Sequence, residues 1–402
     1  MKTKSIICLL LLLGYFSATK SFAQEIIEQG KLILYKYQLP MGAETYQISS
    51  EGKALSLKTN FNLSFVGGKV SVTTDLRVRK TDYRPILFES KGTTSTRTEI
   101  DTKIEVSDNK ATIQTGSNVK EEKISGNFFT ISHPAPIAPQ MMLFRYWQRN
   151  KIKDNLAVLP GGNTKIKFLG EDKITISGKP ETLSRYCIEG VMWGCETVWF
   201  DQKQNLVALV GADAEMDRFE AIKEGYESLL SFFVAKGAED AVNQLKELSR
   251  QVKPLEQDKF AIVGAILIDG NGGEPLPNSV VLIENGRIKT VGKQTEVKIP
   301  DNFRVVNAQG KSILPGLWDT HAHATQAEWF PASLAAGITT MRDAANEFEF
   351  IVPIRDSIKA GQITVAPRLL LAGYIDSGAD ALGSMKAETP EESRKIVNDY
   401  HR

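Results

Sequence analysis

Two histidines in this chain, His321 and His323, are spaced so that they could bind one metal ion. They follow an apolar run at 313–318, and side chains two positions apart in a β-strand point to the same face. Imidazole suits zinc and other first-row transition metals, and a catalytic zinc typically has three protein ligands plus water. The chain has only four histidines, so this pair indicates a metal site. The alternative is a strand end with two solvated imidazoles.

Further motifs surround this pair: AILIDG at 265–270, NGRI at 285–288, LPGLWDTHAH at 314–323 and AGITTMRD at 336–343. In this order and spacing, the stretch 260–380 resembles the amidohydrolase superfamily of metal-dependent hydrolases. It is most similar to the branch of imidazolonepropionase-like and Xaa-Pro dipeptidase-like proteins. The resemblance implies a (β/α)₈ TIM barrel that binds one or two divalent metal ions, with zinc the expected metal. It also implies hydrolysis of a C–N bond, in an amide, cyclic amide or dipeptide, by a metal-activated water.

Three acidic residues near the predicted metal site are candidates for supporting roles. Asp319 precedes His321 by two positions and could orient an imidazole through its second ring N–H, or it could cap a turn. Asp343 and Asp376 follow predicted strands, at the barrel end where substrate contacts gather, although such loop carboxylates also form turns. The resemblance carries over only His321 and His323 as metal ligands, because the family's remaining ligands lie on later strands.

The C-terminal part, 313–402, predicts alternating strands and helices and hence a parallel sheet. Strands are expected at 313–323, 338–342 and 368–372, and helices at 329–336, at 348–360 and from Pro390, with Thr389 as the N-cap. These 90 residues hold three βα units, whereas a complete barrel takes about 250 residues. The sequence therefore predicts the first part of a truncated barrel within a fragment of a longer protein, inactive by itself.

The preceding segments predict a multi-domain chain. Short alternating runs separated by Gly, Asn and Asp predict an antiparallel β-rich domain over 24–213, with one helix at 139–150. A period of 3.6 residues over 214–254 predicts a linker of two helices interrupted at Gly237. Residues 255–312 predict short strands, with a hairpin at Asn285–Gly286. The resemblance implies that these strands are the first part of a small β-sandwich.

The N-terminus and the cysteines indicate export. Residues 1–23 have a basic start, a short apolar core and a small-residue cleavage site, which predicts a secretory signal peptide rather than a membrane anchor. The mature protein would be periplasmic or secreted, where Cys187 and Cys195 could form a disulfide across a hairpin. The alternative is two buried free thiols. His133 is expected to be a turn residue.

The sequence is compatible with three hypotheses about function. The first is an exported amidohydrolase acting on a small molecule, with a homo-oligomer left open. The second is an exported, non-catalytic binding or accessory protein with a vestigial barrel. The third is a carrier of apolar ligands, which would need an interior cavity in the β-rich domain. A net charge of +1 favours neither nucleic acid nor a membrane surface as partner.

Overall fold

The computed structural model describes residues 25–65, 68–132, 136–252, 258–378, 383 and 385–400. The predicted signal peptide, together with His133 and His401, lies outside these residues. The described chain contains a large, mainly antiparallel sheet, a five-stranded sheet and a three-stranded parallel sheet. The described residues also form five α-helices.

Fifteen strands form the large sheet. In chain order they are β1 (Glu25–Lys36), β2 (Leu39–Glu51), β3 (Ala54–Phe65), β4 (Gly68–Arg79), β5 (Pro85–Thr93), β6 (Glu99–Ser107), β7 (Lys110–Thr115), β8 (Asn118–Lys123), β9 (Phe128–Thr130), β10 (Leu156–Leu159), β11 (Asn163–Ile176), β12 (Lys179–Glu189), β13 (Cys195–Phe200), β14 (Leu206–Ala212) and β15 (Arg218–Lys223). Strands that are neighbours in the sequence pair with one another, except that β8 and β9 are the two edges of the sheet, and β1 also pairs with β15. The β9–β10 pair alone among them is parallel. The alternating burial of strands such as β3 and β6 explains the clear period-2 signal in the sequence.

Helix α1 (Ala138–Arg149) lies in the main core of this sheet, and its first nine residues are all buried. No side chain of its own first turn caps it. Instead the buried carboxylate of Glu44, on β2, accepts the backbone N–H groups of Ile137 at 2.6 Å and of Ala138 at 3.1 Å. A carboxyl group at a helix N-terminus satisfies backbone N–H groups that have no partner within the helix. The helix predicted at 139–150 is confirmed.

The helical linker predicted over 214–254 is wrong in its first part. Residues 218–223 form β15, buried on both faces between β1 and β14. Charged and apolar residues alternate at 218–221, but Phe219, Ile222 and the apolar residues after them also match a helical period, and this period predicted the helix. The rest is a single helix, α2 (Leu230–Gln251), which continues through Gly237. A Cβ at Gly237 would lie 3.2 Å from a methyl of Val210, so glycine allows α2 to pack closely on β14.

Five short strands follow α2: β16 (Lys259–Leu267), β17 (Leu276–Glu284), β18 (Arg287–Lys293), β19 (Arg304–Asn307) and β20 (Ser312–Ile313). The predicted hairpin is confirmed, because β17 and β18 pair antiparallel around Asn285 and Gly286, which have φ values of 50° and 70°. The strands form one sheet with a small core. The second sheet of a sandwich is not found in the described residues.

The three predicted βα units are present. They are β21 (Leu317–Ala322) with α3 (Trp329–Ala335), β22 (Ile338–Asp343) with α4 (Phe348–Lys359), and β23 (Arg368–Leu371) with α5 (Pro390–Tyr400). The strands pair in parallel in that order. Thr389 caps α5, as predicted, and its Oγ1 accepts the N–H of Glu392 at 3.2 Å. Among the described helices, none has both the length and the apolar composition that crossing a bilayer requires.

Candidate metal centre

The two imidazoles of the predicted metal pair lie side by side. The ring centres of His321 and His323 are 5.3 Å apart with planes inclined by 67°, and both side chains are exposed. His321 lies in β21, but the strand ends at Ala322, one residue short of His323, and its pairing with β22 is irregular after Asp319. The rings are therefore neighbours at the C-terminal end of β21 without the regular strand geometry that the sequence suggested.

One backbone contact orients the second ring. Nδ1 of His323 lies 3.3 Å from the carbonyl oxygen of Ala345, in the loop after β22. When Nδ1 carries the proton and donates to this carbonyl, Nε2 has its lone pair available for a metal ion. Carbonyl-oriented imidazoles are common among metal-binding histidines. The contact therefore makes His323 suitable as a ligand through Nε2.

The carboxylate of Asp319 contacts the backbone and not an imidazole in this structure. Its Oδ1 accepts the N–H of His321 at 3.1 Å, which is the contact of a turn-capping carboxylate. Asp376 has a similar local contact, because its Oδ1 accepts the N–H of Ser377 at 2.8 Å. The predicted roles of Asp319 beside an imidazole and of Asp376 toward substrate stay predictions.

Asp343 is a buried residue that holds together the loops after β21 and β22. Its side chain is 1% exposed, and Oδ2 accepts the N–H of Ala324 at 2.8 Å and the amide of Asn346 at 3.1 Å. Burial raises the pKa of Asp343 to about 6, although these donors and nearby His323 act in the opposite direction. Asn346 also donates to the carbonyl of Ala324 at 2.9 Å. Asp343 thus fixes the loop beside His323, while its predicted substrate contact stays a prediction.

A buried ionic network ties these loops to the large sheet, and the sequence analysis did not find it. Arg218, on β15, binds Glu347 through Nε at 2.9 Å and donates through Nη1 to the carbonyl of Thr325 at 3.2 Å. Its guanidinium also lies over the ring of Phe350, 4.2 Å from the ring centre. Arg218 therefore contacts the loop after β21, the loop after β22 and α4. The alternation of charged and apolar residues at 218–221 was the available signal.

A second carboxyl group lies in the same network. Burial and the adjacent carboxylate of Glu347 raise the pKa of Glu220 well above its usual range, although Arg218 lowers it. Glu220 is fully buried, and its Oε2 accepts the N–H of Gln38 at 3.0 Å. Two adjacent buried carboxylates cannot both carry charge at low cost, so this pair retains a proton beside the one guanidinium that contacts it.

The two imidazoles fit a transition-metal ion by donor type and by proximity. They supply two of the three protein ligands that a catalytic zinc typically has. Within the described residues, three metal-binding side chains come within 4.8 Å of one another only at Asp213, Glu215 and Asp217. The ammonium of Lys36 lies 2.8–2.9 Å from all three carboxylates. The ammonium of Lys36 thus occupies the position between the three carboxylates where a metal ion would bind.

A disulfide joins Cys187 to Cys195, with the two Cα atoms 5.5 Å apart. It closes the turn between β12 and β13, the hairpin that the sequence predicted. This turn packs against the loop that follows His323. Gly194 has a φ of +69°, and a Cβ there would lie 2.5 Å from the carboxylate of Glu328. Glycine at this position therefore permits both the turn and the close approach.

Comparison with known proteins tests the resemblance of this chain to hydrolases that act on C–N bonds. No family model matches the chain. The chain is 29% identical over 119 residues to a 5′-deoxyadenosine deaminase of Methanococcoides burtonii, covering 28% of this chain and 24% of that protein. It is 27% identical over 90 residues to an enamidase of Eubacterium barkeri, covering 20% and 23%. The chain thus spans about a quarter of the length of these curated relatives.

Among solved structures, one described as molinate hydrolase is 32% identical to the matched part. The match covers 36% of this chain and 37% of the molinate hydrolase chain, with a TM-score of 0.29. A TM-score this low is no support for a common overall architecture. The sequence matches to the deaminase and the enamidase confirm that part of this chain is similar to enzymes of the amidohydrolase superfamily, which act on C–N bonds.

Proposed function

We propose that this chain is part of an exported, metal-dependent amidohydrolase that cleaves a C–N bond in a small amide, cyclic amide or dipeptide. The observation that carries the proposal is the adjacent pair His321 and His323 at the C-terminal end of a parallel strand. In barrels of this class, active sites form at that end of the strands. The curated relatives, a deaminase and an enamidase by name, support chemistry at a C–N bond.

In this proposal His321 and His323 hold a divalent metal, with zinc the expected ion. When bound, such an ion lowers the pKa of its water and polarises the bond to be hydrolysed. The contact with Ala345 keeps Nε2 of His323 turned away from the backbone. Asp343 accepts the N–H of Ala324 and so fixes the loop that begins at His323. In this proposal Asp319 orients one of the two imidazoles, and Asp376 contacts the substrate.

We further propose that additional βα units complete the barrel and supply the remaining ligands. In the described residues, β21 and β23 each have one unpaired edge. The three-stranded sheet also exposes large apolar side chains, with Leu317 at 55%, Trp318 at 57% and Leu370 at 40% exposure. Further strands and helices would cover such edges and apolar surface. The predicted signal peptide and the disulfide support the proposal of an exported location.

Metal binding by the purified chain tests the assignment of the two histidines. The chain would be titrated with Zn²⁺ by calorimetry and with Co²⁺ by visible absorption, alongside the double variant His321→Ala/His323→Ala. Thr320→Ala is the matched control, because this exposed residue lies between Asp319 and His321 on the same strand. The wild type and the control are expected to bind one ion, and the double variant to lose at least about tenfold in affinity, as for the loss of metal ligands.

The catalytic part of the proposal needs the protein that the uninterrupted reading frame encodes. Hydrolysis of a panel of dipeptides and cyclic amides would be measured for that protein and for its His321→Ala/His323→Ala variant. Equal metal affinity in wild type and double variant would refute the metal assignment. If the protein binds metal stoichiometrically but hydrolyses no C–N bond in the panel, the proposed enzymatic activity is refuted. The hypothesis of a non-catalytic binding or accessory protein is then favoured.

A further inference from the structure

A cavity of about 920 Å³ is lined mainly by the large sheet and reaches, at Glu328, the loop that follows His323. The sheet side is apolar: Phe61 and Leu63 on β3 and Phe219 on β15 belong to the wall and are only 3–6% exposed. The volume is at the upper end of the ~300–1,000 Å³ typical of sites for small molecules. The cavity is therefore large enough for a ligand and has a mostly buried, apolar wall.

The cavity opens to solvent at the turn closed by the disulfide. Val191 and Trp193 in this turn both line the cavity, but Val191 is 1% exposed and Trp193 is 55% exposed. Gln244, on α2, and Glu328 also line the cavity, and their side chains are joined by a hydrogen bond of 2.7 Å. The indole of Trp193 thus lies at the mouth, between the apolar wall and solvent.

The charged groups of the cavity are all acidic, and most of them already have partners. Five carboxyl groups belong to the described lining, which contains neither Lys nor Arg. Asp213 and Glu215 each lie 2.9 Å from the ammonium of Lys36. Glu328 accepts the hydrogen bond from Gln244, and Glu189 is an exposed residue at the rim.

The fifth carboxyl group, that of Glu196, is out of reach of a ligand. Glu196 is 1% exposed, and its Oε1 accepts the side-chain amide of Gln140 at 3.1 Å. The backbone N–H of Met192 also donates to this carboxyl group, and Oε2 is buried. A charged ligand would therefore find no unpaired counter-ion in the depth of the cavity.

We propose that this cavity binds an uncharged, mainly apolar small molecule, whose apolar body lies against β3, β4 and β15 and whose polar end stays at the mouth beside Trp193. Burial of apolar surface supplies the affinity. An anion would meet five acidic groups and no basic one, and a cation would meet carboxylates that are paired, buried or solvated. Either ion would lose hydration without gaining a partner, which is costly.

Such a site is what the hypothesis of a carrier of apolar ligands requires of the β-rich domain. It adds a binding function to the chain and does not depend on the proposed hydrolase activity or on a bound metal. Binding can therefore be measured with the purified chain alone, whatever the outcome of the metal and hydrolysis experiments.

A ligand series tests the class of molecule. Decan-1-ol, octan-1-ol, decylamine and decanoate would each be titrated into the purified chain at pH 7.5, below their aggregation limits, with displacement of a fluorescent apolar dye as the readout. One site per chain is expected. Decan-1-ol should bind about tenfold more tightly than octan-1-ol, because each further buried methylene group adds to the affinity. Decylamine and decanoate should bind at least about tenfold more weakly than decan-1-ol.

Fluorescence quenching tests the position of the ligand at the mouth. In 2-bromodecan-1-ol the bromine atom, which quenches indole fluorescence on contact, is next to the hydroxyl group. Saturable quenching of the tryptophan emission is expected for the wild type, and it should be lost in Trp193→Phe. Trp147→Phe is the matched control, because Trp147 stacks on Phe144 and is not among the described residues that line the cavity.

Narrowing the cavity tests its wall. Val70, on β4, lines the cavity and is partly buried. Val70→Trp would occupy part of the space and should weaken decan-1-ol binding at least about tenfold. Val119→Trp is its matched control, since Val119 lies on β8, is 63% exposed and is not among the described lining residues. Circular dichroism and the thermal midpoint verify that each variant is folded.

Every outcome decides for or against the site. Binding of decylamine or decanoate as tight as that of decan-1-ol would overturn the assignment to an uncharged ligand, and no binding of any ligand would overturn the site altogether. Unchanged quenching in Trp193→Phe, or unchanged affinity in folded Val70→Trp, would show that the ligands bind elsewhere. If Val70→Trp does not fold, the ligand series and Trp193→Phe decide on their own.

Discussion

Replacing Arg218 by Met tests whether the buried ionic network joins the large sheet to the loops beside the histidines. The side chain of Arg218 is 5% exposed and that of Glu347 is fully buried, at an N–O distance of 2.9 Å. Met retains much of the apolar volume over Phe350 but leaves the carboxylates of Glu347 and Glu220 without their guanidinium. Removing one partner of a buried ion pair typically costs about 3–5 kcal/mol of folding free energy.

The expected loss has a definite pH dependence. Burial and Glu347 already raise the pKa of Glu220, and Arg218 is the group that lowers it. Without Arg218 the folded state binds this proton still more tightly than the unfolded chain does. Folding then becomes less favourable as pH rises from the unfolded carboxyl pKa through the folded one. The stability of Arg218→Met should therefore continue to fall with pH where the wild-type curve levels off, and its deficit is expected to be at least as large at pH 8 as at pH 6.

Urea unfolding, followed by tryptophan fluorescence and far-ultraviolet circular dichroism at both pH values, measures this effect. Arg250→Met is the matched control, because Arg250 is 71% exposed in a surface pair with Glu247, and such pairs contribute about 0–1 kcal/mol. Adding Glu347→Gln to Arg218→Met should recover about 1–3 kcal/mol by removing the unpaired charge. A loss below about 1 kcal/mol for Arg218→Met, or no recovery in the double variant, would refute a coupled charge network.

Two further predictions concern stability. Cys187→Ser/Cys195→Ser should lower the free energy of unfolding by about 2–3 kcal/mol, as expected for loss of an eight-residue loop closure; an unchanged urea midpoint would contradict this. Burial raises the pKa values of Glu44 to about 8 and of Glu196 to about 7, so the folded state holds protons that the unfolded chain releases above about pH 4.5. The thermal midpoint should therefore fall between pH 5 and pH 8, with a flatter profile in Glu196→Gln, and a midpoint that rises over this range would show that other groups dominate.

Local signals in the sequence were sufficient for several elements. The Asn285–Gly286 turn specified its hairpin because both residues adopt positive φ readily. Thr389 and Pro390 specified the start of α5, where the capping hydroxyl and the fixed φ of proline act within one turn. The alternation of strands and helices after 313 likewise predicted the parallel pairing of β21, β22 and β23. Each of these depends on residues close together in the chain.

The segment at 218–223 shows where such signals fail. Its apolar residues matched a helical period, yet they form β15, the strand that joins β1 to β14. The sequence contains no local mark that both faces of this strand are covered. Helix α2 and the main core supply that cover. The choice between helix and strand was therefore made by long-range packing, which overrides local preference.

The sequence by itself determined the residue types of the histidine pair and the order of the elements that carry it. The tertiary structure decided which polar groups meet: Glu44 with the start of α1, Arg218 with Glu347, and Glu196 with Gln140. The partners in the first two pairs lie 93 and 129 residues apart in the chain. Their contacts depend on the order of strands in the fifteen-stranded sheet and on where the βα units pack against it. Periodicity and spacing report only on neighbours within a few residues, so the positions of these groups relative to one another follow from the folded chain alone.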